Sequence, residues 1–340
     1  MFNRTKAVIA TVATCFMCFG ALAQDKNVAL RISTWVPAQQ PLNPTLQAWA
    51  DDIKKQSGGT LTFTLFPAEQ LGKAFDHYDM ARDGIADITW VNPGYQPGRF
   101  PIIGAAQLPL YISNAKAGSA AINEWYQQYA ATEMKDVQFC MAFTSDPAGM
   151  HSRKKIVLPT DVKGMKIRPA NAMLAQFVTT LGGTNVQASA PELRDLLERG
   201  VADSVMFPWG SVVLFGLDKV AKYHIDFPMF AAPTVLVMNK EKYKSLSVNQ
   251  KKAIDDHCTS TWAEKVATPW ADFEAAGKPK VAAQAGHEIV EMTPEQVQIW
   301  RTAAQPVEAA WAEGVKKVGG DPKQILDSLK KTLAKYKSAL

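Results

Sequence analysis

Hydrophobic and polar residues alternate over Val28–Ser33, and again where Leu61, Phe63 and Leu65 interleave with threonines. A period of two marks a half-buried strand. Between these runs Leu46, Trp49 and Ile53 recur at helical spacing, and Gly58-Gly59 stops the pattern. Strand, helix and strand at this spacing predict a parallel βαβ unit. A helix around 76–83 and a strand over 86–91 add another. Further on, 137–144 reads as a strand broken by Ser145-Asp146-Pro147-Ala148-Gly149, and 166–168 as a short strand cut by Pro169. Helices are predicted over 171–181, stopped by Gly182-Gly183, and from Pro191 to Gly200. An apolar strand follows at 234–238, then one long helix at 247–265, a short strand at 288–291, a helix over 294–318 and a basic helix from Pro322.

Two stretches echo each other. Residues 81–95 read A-R-D-G-I-A-D-I-T-W-V-N-P-G-Y, and 197–210 read L-E-R-G-V-A-D-S-V-M-F-P-W-G. Each is a helix end, a glycine suited to a left-handed cap, Ala-Asp, a short strand, and an aromatic turn with proline. Gly-X-Ala-Asp is also a common way to leave a helix. Repetition of the whole unit implies two similar α/β lobes. Ligands of open α/β sheets sit beyond the carboxyl ends of strands, where both aromatic turns fall. A pocket with one aromatic wall from each lobe is the expectation.

The N-terminus changes the picture of where the chain works. Arg4 and Lys6 precede an apolar, small-residue stretch from Ala7 to Leu22, and Ala21-Leu22-Ala23 is a small-x-small cleavage pattern. This reads as a signal peptide over 1–24 and predicts export. The apolar core is too short for an ordinary membrane span. Cys15 and Cys18 lie inside it and form no redox or zinc motif. Removal of the leader lowers the formal charge from +5 to near +3, which gives no reason to expect nucleic acid as a partner. Cys140 and Cys258 remain; an exported chain permits one bridge between them, and two separate buried thiols fit equally. Over 300 residues remain, room for two domains of about 150 each.

The most pointed segment is Val162-Lys163-Gly164-Met165-Lys166-Ile167-Arg168-Pro169. Proline keeps the backbone of Arg168 extended, which gives its side chain a defined direction. A guanidinium offers a planar fork matched to a carboxylate; a structural ion pair at a strand end is the plainer alternative. The chain carries no G-x-S-x-G, H-E-x-x-H, P-loop or G-x-G-x-x-G motif, and its five histidines show no metal-ligand spacing.

With these motifs the chain resembles the solute-binding proteins of TRAP transporters. The resemblance rests on the leader, Phe66-Pro67-Ala68-Glu69-Gln70-Leu71-Gly72, Asp161 to Arg168, Leu181-Gly182-Gly183-Thr184, and Pro191-Glu192 followed by Gly200-Val201-Ala202-Asp203. It implies an α/β, two-lobe periplasmic solute-binding fold with crossover segments and a hinged interlobe cleft. Lobe 1 is expected over 25–144 plus 233–272, and lobe 2 over 145–232 plus 273–340. It further implies a monomer that delivers its ligand to membrane permease subunits, without catalysis or cofactor, and that Arg168 binds the ligand carboxylate.

The sequence departs from many members after the second Ala-Asp, where Met206-Phe207-Pro208-Trp209-Gly210 replaces a polar pair. Metal-dependent members carry a carboxylate there; none lies between Asp203 and Asp218, so no metal is expected. Trp35, Trp90, Tyr95, Phe207 and Trp209 are expected to form an aromatic box, although aromatic residues are buried in most proteins anyway. Asn92 and Gln70 are candidates to hydrogen-bond ligand oxygens, or else turn residues. Trp49, Trp262, Trp270, Trp300 and Trp311 lie on expected helices and are assigned to the core. Tyr223-His224 is assigned either to the hinge or to helix packing. The expected ligand is an aromatic monocarboxylate. A short aliphatic 2-oxo or 2-hydroxy acid, a sugar acid, and an enzyme acting on a carboxylic acid are the alternatives.

Overall fold

A computed structural model describes residues 25–340; the expected signal peptide lies outside the described residues. Among the described residues eleven strands form two sheets. The first, in the order β2-β1-β3-β10-β4, comprises β1 (Val28–Ser33), β2 (Leu61–Phe66), β3 (Ile88–Val91), β4 (Val137–Thr144) and β10 (Pro233–Asn239). The second, in the order β11-β9-β5-β8-β6-β7, comprises β5 (Gly149–Ser152), β6 (Lys166–Arg168), β7 (Thr184–Asn185), β8 (Ser204–Phe207), β9 (Tyr223–Asp226) and β11 (Glu288–Glu291).

The echoed units are equivalent in space. Gly84 and Gly200 both adopt positive φ, +73° and +67°, a conformation that favours glycine. Each unit then spends its Ala-Asp carboxylate on a neighbouring strand. Asp87 Oδ2 accepts from the Arg31 amide at 2.8 Å, and Asp203 Oδ2 from the Lys166 amide at 2.9 Å. The pairs β1–β3 and β6–β8 are thereby tied at corresponding points, and both are parallel.

The chain passes between the sheets from β4 to β5, from β9 to β10 and again from β10 to β11, and the first two crossovers lie side by side. Strand β4 runs into β5 and β9 returns into β10, and the two crossovers pair through an antiparallel bridge at Ala148 and Phe230. Ser145 and Ala232 fasten the same place, with Ala232 N–H donating to Ser145 Oγ at 3.0 Å. Helix Pro294–Lys317 also touches both lobes. Its Trp300 indole donates to the Val157 carbonyl at 3.0 Å and its Trp311 indole to the Pro101 carbonyl at 2.7 Å.

Three expectations change. Residues 247–265 form two helices, Val248–Asp255 and Ser260–Ala275, because the chain turns at 256–259 and Thr259 caps the second. Cys258 sits in that turn and is disulfide-bonded to Cys140 in β4. Tyr223-His224, assigned above to the hinge or to helix packing, begins strand β9. A long helix, Ala115–Glu133, was not anticipated. The tail helix Pro322–Lys335, assigned above to lobe 2, packs on that helix in lobe 1: Trp125 Nε1 donates to Ser328 Oγ at 3.0 Å, and Lys335 pairs with Glu124 at 2.7 Å.

Candidate functional site

Arg168 ends β6 beside β8 in the second sheet. Its side chain points into the gap between the lobes and is 1 % exposed. Nε donates to the Ala188 carbonyl at 2.9 Å and Nη2 to the Tyr95 hydroxyl at 3.2 Å. Among the described residues no carboxylate lies within ion-pair reach of it. Three of its five N–H donors are left without a protein acceptor. Burial therefore lowers the guanidinium's hold on its proton, with the Tyr95 hydroxyl opposing the shift. An unpaired buried cation is costly, and an incoming carboxylate removes that cost.

Tyr95 reaches this point from the other lobe. Asn92 Oδ1 accepts from the Gly94 amide at 3.0 Å and sets the turn that carries Tyr95 beyond β3. The Tyr95 oxygen accepts from Arg168 and from the Ala190 amide at 3.1 Å, so its own hydroxyl proton is unspent. The guanidinium carbon lies 6.0 Å from the Tyr95 ring centre and 5.9 Å from that of Phe207, one ring from each lobe. Both are near the limit of cation–π contact.

A cavity of about 40 Å³ adjoins Arg168. Its aromatic wall is Trp35 stacked on Trp90 at 4.3 Å, Trp270 edge-on to Trp90 at 5.7 Å, and Phe207 with Phe215. Asn92, Gln40, Ser211 and Thr234 are its uncharged polar liners. The indole N–H groups of Trp35 and Trp90 are buried without an acceptor. Tyr95 and Ala170 also face a second space of about 150 Å³, bounded by Phe75, Pro97, Asn171 and Gln187.

Of the residues singled out from sequence, Arg168, Trp35, Trp90, Asn92, Tyr95 and Phe207 thus converge. Two do not. Gln70 is exposed on the loop after β2 and lines neither space, because positive φ at Ala68 and Glu69 turns the loop there. Trp209 is absent from the cavity wall; it opens the helix Trp209–Leu214 and packs its ring edge-on to His151 at 4.8 Å. Conversely Trp270, assigned above to the core, lines the cavity. Its indole donates to Glu274 Oε1 at 2.8 Å. Glu274 is itself buried, takes the Ser211 amide at 2.8 Å and the Ser211 hydroxyl, and is pushed up to about 7 by burial, against the pull of those hydrogen bonds. Glu274 therefore braces two parts of the wall, yet it lies 63 residues from Ser211 and no local pattern signals it. Among the described residues no cluster of three or more His, Cys, Asp or Glu side chains is arranged to hold a metal.

Two α/β lobes joined by paired crossovers and meeting on a buried, carboxylate-free guanidinium define a hinged solute receptor. The chain belongs to the family described as bacterial extracellular solute-binding protein, family 7 (DctP), whose pattern matches residues 32–314. A TRAP solute-binding protein from Rhodoferax ferrireducens, crystallised with copurified benzoate, is 31 % identical. It superposes with a TM-score of 0.86 over 92 % of this chain and 99 % of its own. A marine metagenome TRAP solute-binding protein specific for aromatic acids, in complex with 3-hydroxybenzoate, is 29 % identical with a TM-score of 0.85, covering 92 % and 99 %. One from Bordetella bronchiseptica with bound (R)- and (S)-mandelate is 28 % identical with a TM-score of 0.84, covering 91 % and 99 %.

Proposed function

We propose that this protein is the periplasmic receptor of a TRAP transporter, and that it captures an aromatic monocarboxylate and presents it, enclosed between the lobes, to the membrane permease. The observation that carries the reading is Arg168: a fully buried guanidinium with spare donors, at the edge of a cavity walled by aromatic rings from both lobes. The carboxylate takes two of those donors, and the free Tyr95 hydroxyl proton is placed to join them. A phenyl ring that buries roughly 120 Å² against Trp35, Trp90 and Trp270 adds about 3 kcal/mol. The polar liners are few, which disfavours a sugar acid. The aromatic acids held by similar receptors support the same ligand class. The acid is bound and released unchanged; the relatives are solute-binding proteins.

One observation favours a second reading. A 40 Å³ cavity is smaller than the about 150 Å³ that accommodates benzene in an engineered protein core. A short 2-oxo or 2-hydroxy acid fits with less movement. An aromatic ring requires Tyr95, the wall shared with the second space, to shift or the lobes to part slightly. Calorimetric titration of ligand-stripped protein with benzoate, mandelate, pyruvate, lactate and galacturonate separates these readings. Micromolar or tighter binding of benzoate or mandelate is expected. Binding of pyruvate or lactate alone establishes the second reading, and binding of galacturonate alone defeats both.

A further inference from the structure

Three of the five histidines stand in one row. His287 precedes β11, His224 lies in β9 and His151 in β5, and these are adjacent strands in the order β11-β9-β5-β8. His151 and His224 are directly opposite in the ladder. Their side chains are linked end to end. Lys222 Nζ lies 2.9 Å from His287 Nε2, His287 Nδ1 lies 2.9 Å from His224 Nε2, His224 Nδ1 lies 2.9 Å from His151 Nδ1, and His151 Nε2 lies 2.8 Å from the Phe207 carbonyl.

Elementary donor counting fixes the direction of every link. A carbonyl only accepts, so His151 carries its proton on Nε2. Its Nδ1 then accepts from His224 Nδ1, which leaves His224 Nε2 to accept from His287 Nδ1. The remaining nitrogen, His287 Nε2, accepts from the ammonium of Lys222, which has donors only. The assignment is consistent with all three rings neutral, and a proton added to any ring sets two donors against each other. Burial lowers the proton affinity of all three: His151 to about 4, and His224 to about 3 with the help of its neighbours. The charged groups around the outer end are Lys222, Lys219 and Asp218. Lys222 also donates to the Asp218 carbonyl at 2.9 Å, and the Asp218 carboxylate takes Gln284 at 2.9 Å.

We propose that Lys222, His287, His224 and His151 form one hydrogen-bond chain of fixed direction, which starts at the protein surface, ends on the Phe207 carbonyl and sets the place of the Phe207-Pro208-Trp209 turn against the ligand. The three histidines are positioning residues for capture, not ligand contacts. Phe207 faces the guanidinium and lines the cavity, while the Trp209 ring rests on His151 and His224 at 4.8 and 5.6 Å. The far side of that turn therefore rests on the imidazole row. If one tautomer reverses, His151 must surrender the Phe207 carbonyl or face another lone pair. The inference rests on the reading of the cavity as the ligand site, but the protonation pattern it requires does not depend on any ligand.

The test uses two readouts on the whole protein. Nitrogen-15 NMR of labelled histidines at pH 7.5 is expected to show His151 with its proton on Nε2 and both His224 and His287 with theirs on Nδ1. His151 protonated on Nδ1 overturns the chain, whether or not benzoate binds. In calorimetric titration with benzoate, His287→Leu is expected to weaken binding about fivefold to tenfold, the equivalent of one net hydrogen bond. His287→Gln, whose amide donates at one atom and accepts at the other, is expected to restore binding to within twofold of wild type. Unchanged binding by His287→Leu, or equal loss in both variants, overturns the positioning role. A wild-type protein that ignores benzoate but shows the expected tautomers refutes the aromatic reading and leaves the chain standing.

Discussion

Replacing Arg168 by methionine tests the chemistry of the site most directly, because binding and stability should move apart. Methionine keeps most of the apolar volume and removes every donor. In the complex a carboxylate takes two charge-assisted hydrogen bonds, each about 1.5–3 kcal/mol net, so about 3–6 kcal/mol is lost. That corresponds to roughly a hundredfold to ten-thousandfold weaker binding. In the ligand-free protein the Ala188 carbonyl loses its donor, at about 1–3 kcal/mol. Against this, a fully buried cation with no carboxylate partner disappears, and such groups cost several kcal/mol each. The melting temperature of ligand-free Arg168→Met should accordingly be equal to wild type or higher, while the ligand-induced shift vanishes. Arg168→Lys keeps the charge but loses the fork and should fall between. Titration calorimetry and thermal unfolding, with and without benzoate, read both quantities. A methionine variant that binds within tenfold of wild type refutes the assignment of the carboxylate to Arg168.

Three further perturbations probe closure, the covalent tie and titration. A Cβ at Gly94 would collide with Asn171 Cβ across the interlobe gap and come within 2.7 Å of Gln107 Nε2. Overpacking of this kind costs about 1–3 kcal/mol; Gly94→Ala should weaken ligand binding about tenfold, and unchanged affinity would mean that the closed state has room to spare there. The Cys140–Cys258 bond spans 118 residues, and loops of that length carry about 4–5 kcal/mol in the chain-entropy account. Reductant, or Cys140→Ser with Cys258→Ser, should lower the melting temperature by several degrees; an identical melt would show that the bond does not limit the unfolded chain. Two sets of buried groups should make stability depend on pH with opposite signs. His151 is held at about 4 and His224 at about 3, below the ordinary 6.5, so their contribution is present above 6.5 and is lost as pH falls toward 4, about 3 kcal/mol for His151 alone. Glu274 at about 7, above the ordinary 4.5, acts oppositely, and its contribution fades as pH rises from 4.5 through 7. Over the shared window the two effects oppose each other, so denaturant titrations between pH 4.5 and 8.5 should show a steeper loss of stability on acidification in Glu274→Gln than in wild type; an unchanged slope contradicts the assignment.

Strands with clean alternation or sharp boundaries were legible to the residue. Val28–Ser33, Val137–Thr144 and Glu288–Glu291 lie where their patterns end. Strands β5 and β9 were missed because each is four residues long and carries a buried histidine, which no periodicity distinguishes from a loop. The Ala115–Glu133 helix escaped because buried alanines, glycine and serine stand where a helix usually shows a polar face. In the site, Arg168, Trp35, Trp90, Asn92, Tyr95 and Phe207 were readable because each ends or closely follows a strand. Trp270 and Phe230 reach the cavity from a helix and a crossover, whose approach is decided by tertiary packing. Trp209 was misplaced because it is only two residues from Phe207; the helix that begins at Trp209 carries its ring to the far side of the wall.

The helix that is pinned by Trp300 in one lobe and by Trp311 in the other has a mechanical consequence. Any swing of the lobes must strain this strut or bend it. Pro306 lies between the two pins and lacks the amide that would lock the turn there, so flexure concentrates at that point. Opening of the lobes is thereby coupled to bending of this one helix at Pro306.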